Sequence, residues 1–389
     1  MYFSQHNLLC LQILCLICAS TYGPKFAGFE KGMVIIMKNN KILMVSLAMI
    51  LSMGLISGCG NKAVESKATA KSKLSVVCTT FPSYDWTKEV MGEKAEDFDL
   101  TLLLDNGVDL HNYQPTAEDI AKIAECDLFI YVGGESDEWV EDALKEATNK
   151  DMRVINLMDA LGSEVKEEEL VEGMEEEEHE HEGEDAHDDE GGDVHDDEDE
   201  DAHDHEEAEE VEYDEHVWLS LKNAQALVEV IEGTLSEIDS KNAEIYKKNT
   251  DNYMTELKAL DDEYETAVLS AKTNTVLFGD RFPFRYLVDD YGLDYYAAFV
   301  GCSAETEASF ETITFLAGKV DELKLPTILV IENSDEKISE AIKSNTAGKD
   351  QKILVMNSLQ SVTNSDIEAG FSYVSAMKDN LEILKQALN

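Results

Sequence analysis

Apolar and polar positions alternate along this chain as short apolar runs and longer amphipathic stretches. Short apolar runs bounded by turn residues predict strands, and apolar residues at a spacing of three or four predict helices. In the first half, strands are predicted at residues 74–80, 101–104, 127–132 and 153–157, with helices at 84–91, 115–124 and 136–148. Because strands alternate with helices, the pattern predicts parallel pairing in an α/β layer structure.

The second half repeats this pattern after two long helical stretches, residues 223–238 and 242–271. Strands are predicted at 275–278, 295–300, 327–331 and 352–357, and helices at 284–291, 306–323, 335–344 and 366–388. We therefore predict an α/β protein with two (β/α) lobes joined by one long rigid helix. Ligands of open α/β sheets bind beyond the carboxyl ends of the strands, so a site is expected in the cleft between the lobes.

The beginning of the chain carries a secretion signal. Residues 38–41 are basic, residues 42–55 are apolar, and small residues precede Cys59. This order is typical of a signal peptide, and the apolar run is shorter than the roughly 20 residues that a membrane span requires. Cys59 directly after small residues resembles the lipobox of bacterial lipoproteins, in which that cysteine is acylated. We predict a signal peptide at 37–58 and lipid anchoring through Cys59 to the extracytoplasmic face of the cell membrane.

A second apolar stretch lies further upstream, within residues 1–36. Two hydrophobic signals in tandem serve no purpose, so we interpret this segment as an over-extended start, with translation beginning at Met37. Of seven cysteines, this leaves Cys59 and three others: Cys78, Cys126 and Cys302. An odd number at wide spacing indicates neither a disulfide framework nor a Cys-x-x-Cys zinc site. We therefore predict that these three are buried, small apolar side chains.

Charge is concentrated in one segment, residues 164–215. Its 31 acidic residues and single lysine contribute −30 of the chain's net charge of −51. Such a composition cannot bury a core, so a disordered loop is expected, and the charge excludes nucleic acid as a partner. The segment also holds six of the nine histidines, and imidazoles among carboxylates collect cations. These six form the predicted auxiliary metal-collecting loop: His179, His181, His187, His195, His203 and His205.

The domain organisation follows from these segments. A lipid-anchored tether is predicted at 59–72, and an N-terminal lobe at 73–240 that includes the acidic loop. The connecting helix is expected at 241–272 and the C-terminal lobe at 273–389.

Two histidines remain in the folded part as candidate metal ligands. His111 follows the second predicted strand, and His216 stands where the acidic segment ends, each ahead of a predicted helix. A single histidine is more often structural, but two in such loops beside a cation-collecting segment indicate ligation. Two histidines rarely complete a site, so carboxylates should supply the rest. By their position after strands, Asp280 and Glu332 are the candidates, with Glu305 in reserve, although a lone acid often only caps a helix.

Several motifs of the chain together resemble a known family. The lipobox, "TTFPSYDW" at 79–86, "GVDLHNYQPTAEDIAKIAECDLFIYVGGESDEWV" at 107–140, the acidic His-rich loop and "EHVWLS" at 215–220 are similar to the zinc/manganese-binding solute-binding lipoproteins of bacterial metal ABC importers. The resemblance extends from residue 73 to the C-terminus. It implies two (β/α) lobes bridged by a rigid helix, with one metal ion in the interlobe cleft.

The resemblance also implies a ligand set. Its first two ligands fall on His111 and His216, and the fourth, a carboxylate, falls on Glu332. For the third, zinc-binding relatives usually have His in a "His-Asp-Ala-Phe-x-Tyr" segment, and manganese relatives often have Glu there. This chain departs from that pattern, and Asp280 reaches the position only with a one-residue gap. Arg281 would then lie beside the metal or pair with a carboxylate.

The function implied is that of a carrier, not an enzyme. We predict capture of Zn²⁺, with Mn²⁺ as the alternative, and delivery to an ABC permease and its ATPase by a monomeric lipoprotein. Two histidines with two carboxylates suit both ions, whereas the His-rich loop favours zinc. A surface zinc hydrolase is an alternative class, in which Glu215 could act as a base, but no His-Glu-x-x-His motif is present. A surface adhesin is the third.

Overall fold

The computed structural model describes residues 73–174, 212–303 and 307–389, which belong to one compact unit of the chain, residues 72–389. Several predicted features lie outside the described residues: the signal peptide, the tether, Cys59, the six histidines of the metal-collecting loop, and Glu305.

The first half of the fold is built on a four-stranded parallel sheet. Its strands are β1 (Leu74–Cys78), β2 (Phe98–Leu102), β3 (Leu128–Tyr131) and β4 (Arg153–Asn156). The strand order is β2-β1-β3-β4, and Val77 of β1 pairs with Thr101 on one side and Phe129 on the other. The crossovers carry α1 (Phe81–Met91), α2 (Ala117–Glu125) and α3 (Trp139–Lys145), and α4 (Leu157–Leu161) follows the last strand.

The second half repeats this arrangement in a second four-stranded parallel sheet. Its strands are β5 (Thr275–Phe282), β6 (Asp294–Val300), β7 (Thr327–Ile331) and β8 (Lys352–Met356), in the order β6-β5-β7-β8. Its helices are α7 (Arg285–Tyr291), α8 (Phe310–Leu323), α9 (Lys337–Asn345), α10 (Asn364–Glu368) and α11 (Tyr373–Ala387).

Two helices connect the halves, α5 (Leu221–Ile238) and the 27-residue α6 (Ala243–Leu269). At 1.5 Å per residue, α6 is about 40 Å long. It packs against α1 and α5 of the first half and against α11 of the second. Its buried positions include Tyr253, Leu257, Leu260 and Tyr264, which are three or four residues apart and so share one face. The predicted fold class, two α/β lobes with a long connecting helix, is confirmed.

Several element boundaries differ from those predicted. β2 begins at Phe98 rather than at residue 101, and β5 continues to Phe282 instead of ending at residue 278. The longer β5 results from a bulge between Phe278 and Arg281, which lets pairing with β6 resume after the irregularity. The single predicted helix at 366–388 is two helices, because Gly370 between them adopts φ +94°.

The ends of the acidic segment pair with each other. Glu167 forms an antiparallel bridge with Tyr213, the N–H of Glu168 donates to the Glu212 carbonyl, and the N–H of Asp214 donates to the Lys166 carbonyl. Residues 164–174 and 212–215, predicted as parts of a disordered loop, are therefore tied to the fold beside His216.

Among the described helices, none is both long and apolar enough to cross a membrane.

Candidate metal centre

His111 lies in a short 3₁₀ turn, Leu110–Asn112, in the loop that leads from β2 to α2. The Asp109 side chain accepts the N–H of His111 at 3.1 Å, and Leu110 is buried, so the beginning of the turn is fixed. The Nδ1 atom of the His111 ring lies 2.8 Å from the Ser136 hydroxyl and 3.4 Å from Glu215 Oε2. These contacts leave Nε2 as the atom of the ring that can bind a ligand.

His216 is held in the same way from the other side. The Asp214 carboxylate accepts the backbone N–H of His216 at 2.8 Å and lies 3.0 Å from its Nδ1. The Tyr286 hydroxyl donates to the Asp214 carbonyl at 2.7 Å, which anchors this loop to α7. His216 is fully buried, at 0% exposure. A carboxylate on Nδ1 fixes the ring orientation and leaves Nε2 to face a metal ion, as in many metal-binding histidines.

The segment after His216 is anchored to the second half of the fold. Trp218 Nε1 donates to the Ser358 carbonyl at 2.8 Å, and the Tyr373 hydroxyl donates to the Trp218 carbonyl at 2.7 Å. Both rings are buried, so these bonds are shielded from water. The "EHVWLS" motif therefore fixes His216 where the two halves meet.

The two rings face each other through their Nε2 atoms, which are 3.1 Å apart, with ring centroids separated by 5.1 Å. We call His111 and His216 the histidine pair. At this distance one Nε2 donates a proton and the other accepts it. The same two atoms would bind a cation placed between them, so a metal ion would replace the shared proton.

The pair is electrostatically asymmetric. Burial, reinforced by His216 and Arg281, lowers the pKa of His111 well below its usual range. Burial also lowers the pKa of His216, but the Asp214 carboxylate, with Asp109 and Glu215, outweighs this effect and raises the pKa. His111 is therefore neutral at neutral pH, and a proton shared by the pair belongs to His216, beside Asp214.

Glu215 supports His111 rather than facing the centre of the pair. Its Oε1 accepts the N–H of Ser136 at 2.8 Å, and its Oε2 approaches His111 at Nδ1, the nitrogen that does not face His216. Burial raises the pKa of Glu215 to about 7. The hydrolase alternative would place Glu215 as a base next to a metal-bound water, whereas its contacts here are with the outer side of a ligand ring.

Asp280 lies within β5, and the prediction that it stands in a loop after the strand is wrong. Its Oδ1 accepts the N–H of Arg281 at 2.9 Å, and its buried Oδ2 has no hydrogen-bond partner. Arg281 donates to Asp109 at 2.6 Å, an ion pair that crosses between the halves. The pairing of Arg281 with a carboxylate is thus one of the two alternatives expected for it.

Glu332 follows β7, as predicted. Its carboxylate accepts the N–H of Ser358 at 2.6 Å and the hydroxyl of the same residue at 2.7 Å. Glu332 and Asp280 line one cavity of about 420 Å³, together with Asp109 and Arg281. The structure thus places both carboxylates in the cleft, next to the loop of His111, and whether they bind metal stays a prediction.

A thiol that the sequence pattern does not single out, that of Cys302, lies beside the histidine pair. One ligand atom each from His111, His216 and Cys302 fall within 4.8 Å of one another, whereas Asp280 and Glu332 are not members of this cluster. Cys78 and Cys126 are buried, as predicted, but Cys302 is only partly buried. The available signal was positional, because Cys302 lies two residues after the end of β6, in the loop beyond a strand.

Comparisons with known proteins identify the family of this chain. A family model described as "Zinc-uptake complex component A periplasmic" matches residues 76–387. The zinc-binding lipoprotein AdcA of Streptococcus pneumoniae is 31% identical over 354 residues, 90% of this chain but 61% of that protein, so this chain spans less than two thirds of its length. The high-affinity zinc uptake system protein ZnuA of Bacillus subtilis is 30% identical over 86% of this chain and 94% of its own.

A solved structure shows the same architecture. The Zn(II)-bound ZnuA-like domain of Streptococcus pneumoniae AdcA aligns with a TM-score of 0.59 at 29% identity, covering 81% of this chain and 99% of that one. The family match extends over most of the chain and includes both lobes, the long helix and the histidine pair. This chain therefore belongs to the family of component A of zinc-uptake complexes.

Proposed function

We propose that this protein is the extracytoplasmic zinc-binding component of an ABC importer, which captures Zn²⁺ and delivers it to a membrane permease and its ATPase. The observation that carries the proposal is the histidine pair: two buried imidazoles from separate loops, with Nε2 atoms 3.1 Å apart and each Nδ1 held by an oxygen partner. Imidazole is a preferred zinc ligand, and such outer partners raise its basicity.

Capture then amounts to an exchange of cations. With Nδ1 of His216 directed at Asp214 and Nδ1 of His111 at Ser136 and Glu215, both rings already present Nε2 inward. Zn²⁺ entering between them displaces the shared proton and requires no turning of either ring. Asp280 and Glu332 are the proposed carboxylate ligands, because both line the cavity next to the His111 loop.

Zinc is favoured over manganese by the donor atoms. Mn²⁺ prefers oxygen ligands, whereas imidazole suits Zn²⁺. At the centre of the site, the two Nε2 atoms of the histidine pair are 3.1 Å apart, so the donor atoms there are imidazole nitrogens. The relatives named above as zinc-binding or zinc-uptake proteins support the same choice.

The remaining parts of the proposal concern location and partners. Cys59 would carry the lipid anchor, the acidic loop with its six histidines would collect cations for the site, and the protein would act as a monomer. The paired ends of that loop support this role, because they join the fold at Asp214, two residues before His216. The family is one of transport proteins, and we propose no enzymatic activity.

Metal titration of single-site variants tests the proposal. Wild-type protein should bind one Zn²⁺ tightly and further ions weakly, and His111→Ala and His216→Ala should each weaken the tight site at least ~10–100-fold, the scale reached even by changes outside the ligand shell. His187→Ala, within the acidic loop, is the matched control and should keep the tight equivalent. Unchanged tight binding in either ligand variant would contradict the assignment.

A further inference from the structure

We infer that Cys302 is the third protein ligand of the transported cation, which would make the centre of the site a two-nitrogen, one-sulfur set. This inference rests on the proposed function, since it names a ligand of the same site. It places Cys302 in the third position instead of Asp280 and leaves Glu332 as the fourth ligand.

The spacing of the three groups fits a zinc ion. Zn–N bonds are about 2.0–2.1 Å and Zn–S bonds about 2.3 Å, so the ligand atoms of a tetrahedral site lie about 3.3–3.6 Å apart. In this structure the two Nε2 atoms are 3.1 Å apart, and the three ligand atoms lie within 4.8 Å of one another. Closing the site thus requires ligand-atom separations to shorten by at most about 1.5 Å.

The backbone around Cys302 is built for this approach. Gly301 packs against His216 so closely that an added Cβ would lie 3.0 Å from Cε1 and 3.1 Å from Nδ1 of that ring. The N–H of Cys302 donates to Glu168 Oε1 at 3.1 Å, which ties the end of β6 to the base of the acidic segment. Packing of Gly301 and the hydrogen bond to Glu168 therefore position Cys302 beside His216.

Other charged groups line the cavity next to the His111 loop. Arg281, next to Asp280, is paired with Asp109 and donates to the Ser303 carbonyl. Glu332 holds Ser358 through both carboxylate oxygens. Asp280 lies in the cavity with these groups, outside the cluster formed by the histidine pair and Cys302. The sulfur is thus the donor next to the histidine pair.

Binding through sulfur changes which ion the site selects. The thiol proton leaves to solvent as the Zn–S bond forms, so the ligand is the thiolate. Thiolate is a soft ligand that suits Zn²⁺ and is poorly matched to Mn²⁺, which prefers carboxylate, carbonyl and water oxygens. Cys302 would therefore determine specificity for zinc.

Cobalt spectroscopy tests the inference directly, in a Cys59→Ala background so that the tether contributes no thiol. Co²⁺-loaded protein should show a sulfur-to-cobalt charge-transfer band in the near ultraviolet. Cys302→Ser should abolish the band, weaken Zn²⁺ binding at least ~10-fold and reduce the preference for Zn²⁺ over Mn²⁺, because the hydroxyl is a harder ligand. Cys126→Ala, at a buried cysteine outside the site, is the control and should keep the band and the affinity.

The outcomes separate this inference from the proposed function. Absence of the band in the protein with Cys302 intact, or its persistence in Cys302→Ser, overturns the inference, and the first of these results needs no variant of Cys302 to fold. If the His216→Ala variant loses zinc while Cys302→Ser binds normally, the proposed function stands and Cys302 is not a ligand. Loss of binding in Asp280→Asn alongside normal Cys302→Ser would return the third position to Asp280.

Discussion

At the scale of single residues, the chemistry of the site depends on the atoms behind the histidine pair. His216 presents Nε2 to the centre because Asp214 accepts both its backbone N–H and its Nδ1–H. The carboxylate also places negative charge next to the ring, which offsets the desolvation of a cation bound in a buried position. Asp214 would therefore act on a bound cation through its contacts with His216.

Replacing Asp214 by asparagine tests this role. Asp214→Asn keeps an oxygen that can accept the Nδ1–H but removes the charge, so zinc affinity should fall ~10–100-fold while the protein remains folded. Competition with a chromophoric chelator measures the affinity. Asp290→Asn is the matched control, because Asp290 accepts a hydrogen bond from Ser220 outside the histidine pair. Equal affinities for the wild type and Asp214→Asn would show that the charge behind His216 is unimportant.

That His111 and His216 lie in the cleft could be predicted from sequence, whereas their outer partners and the approach of Cys302 could not. His111 and His216 stand in loops between elements that the hydrophobic pattern identifies, and loops at strand ends meet at one edge of a parallel sheet. The approach of Cys302 to His216 depends on how the end of β6 packs against the loop that carries His216. No local pattern encodes that contact, so a partly buried cysteine was interpreted as an apolar one.

At the scale of elements, the ends of the strands decide which side chains reach the cleft. Alternating strands and helices were predicted well because each is defined by its own periodicity, but strand ends are not. The bulge in β5 extends the strand past Asp280, so this residue lies within a strand rather than in a loop. A bulge depends on the pairing of two strands, and a positional argument from one strand cannot detect it.

The end of β6 provides the second prediction. Gly301→Ala would place a methyl group 3.0 Å from Cε1 of His216 and from the Phe282 carbonyl, so the ring or the strand must shift. We expect zinc affinity to fall by ~10-fold or more, and the free energy of unfolding to fall by about 1–3 kcal/mol because of the added bulk. Chelator competition and denaturant unfolding measure the two effects.

A glycine in open space provides the control for that variant. Gly318 lies inside α8, and an added Cβ meets nothing within 4 Å. Gly318→Ala should therefore leave zinc binding unchanged and stabilise the helix by up to about 1 kcal/mol. If Gly301→Ala bound zinc as tightly as Gly318→Ala, the close packing of β6 against His216 would not be a requirement of the site.

At the scale of the whole molecule, the two halves are joined by more than the long helix. α11, the last helix of the second half, packs against α1 of the first, where Trp86 meets Tyr373 edge to face at 5.1 Å. Asp85 accepts the N–H of Tyr373 at 2.9 Å and so caps the beginning of α11. His111 and His216 come from separate loops that contact both halves. Their arrangement therefore depends on contacts between the halves such as that of Asp85 with Tyr373.

Asp85 makes one of these joints sensitive to pH. Burial raises its pKa to about 6, although the N–H of Tyr373 acts in the opposite direction. In the unfolded chain the carboxyl titrates near 3.9, so between about pH 4 and 6 the folded state binds more protons than the unfolded state. The stability contributed by protonated Asp85 is complete below about pH 4 and is lost as the pH rises through 6.

The variant Asp85→Asn should remove this pH dependence, because the neutral amide keeps an oxygen for the N–H of Tyr373 and has no charge to bury. Two pKa units correspond to about 3 kcal/mol of unfolding free energy. The difference in unfolding free energy between the variant and the wild type should therefore shift by about 1–3 kcal/mol in favour of the variant when the pH is raised from 4 to 8. Denaturant unfolding of both proteins at the two pH values measures this change. Asp379→Asn, at an exposed position of α11, should follow the wild-type curve. An Asp85→Asn protein that loses stability at pH 8 would show that the ionised carboxylate stabilises the joint between the halves, and that its burial is not the dominant effect.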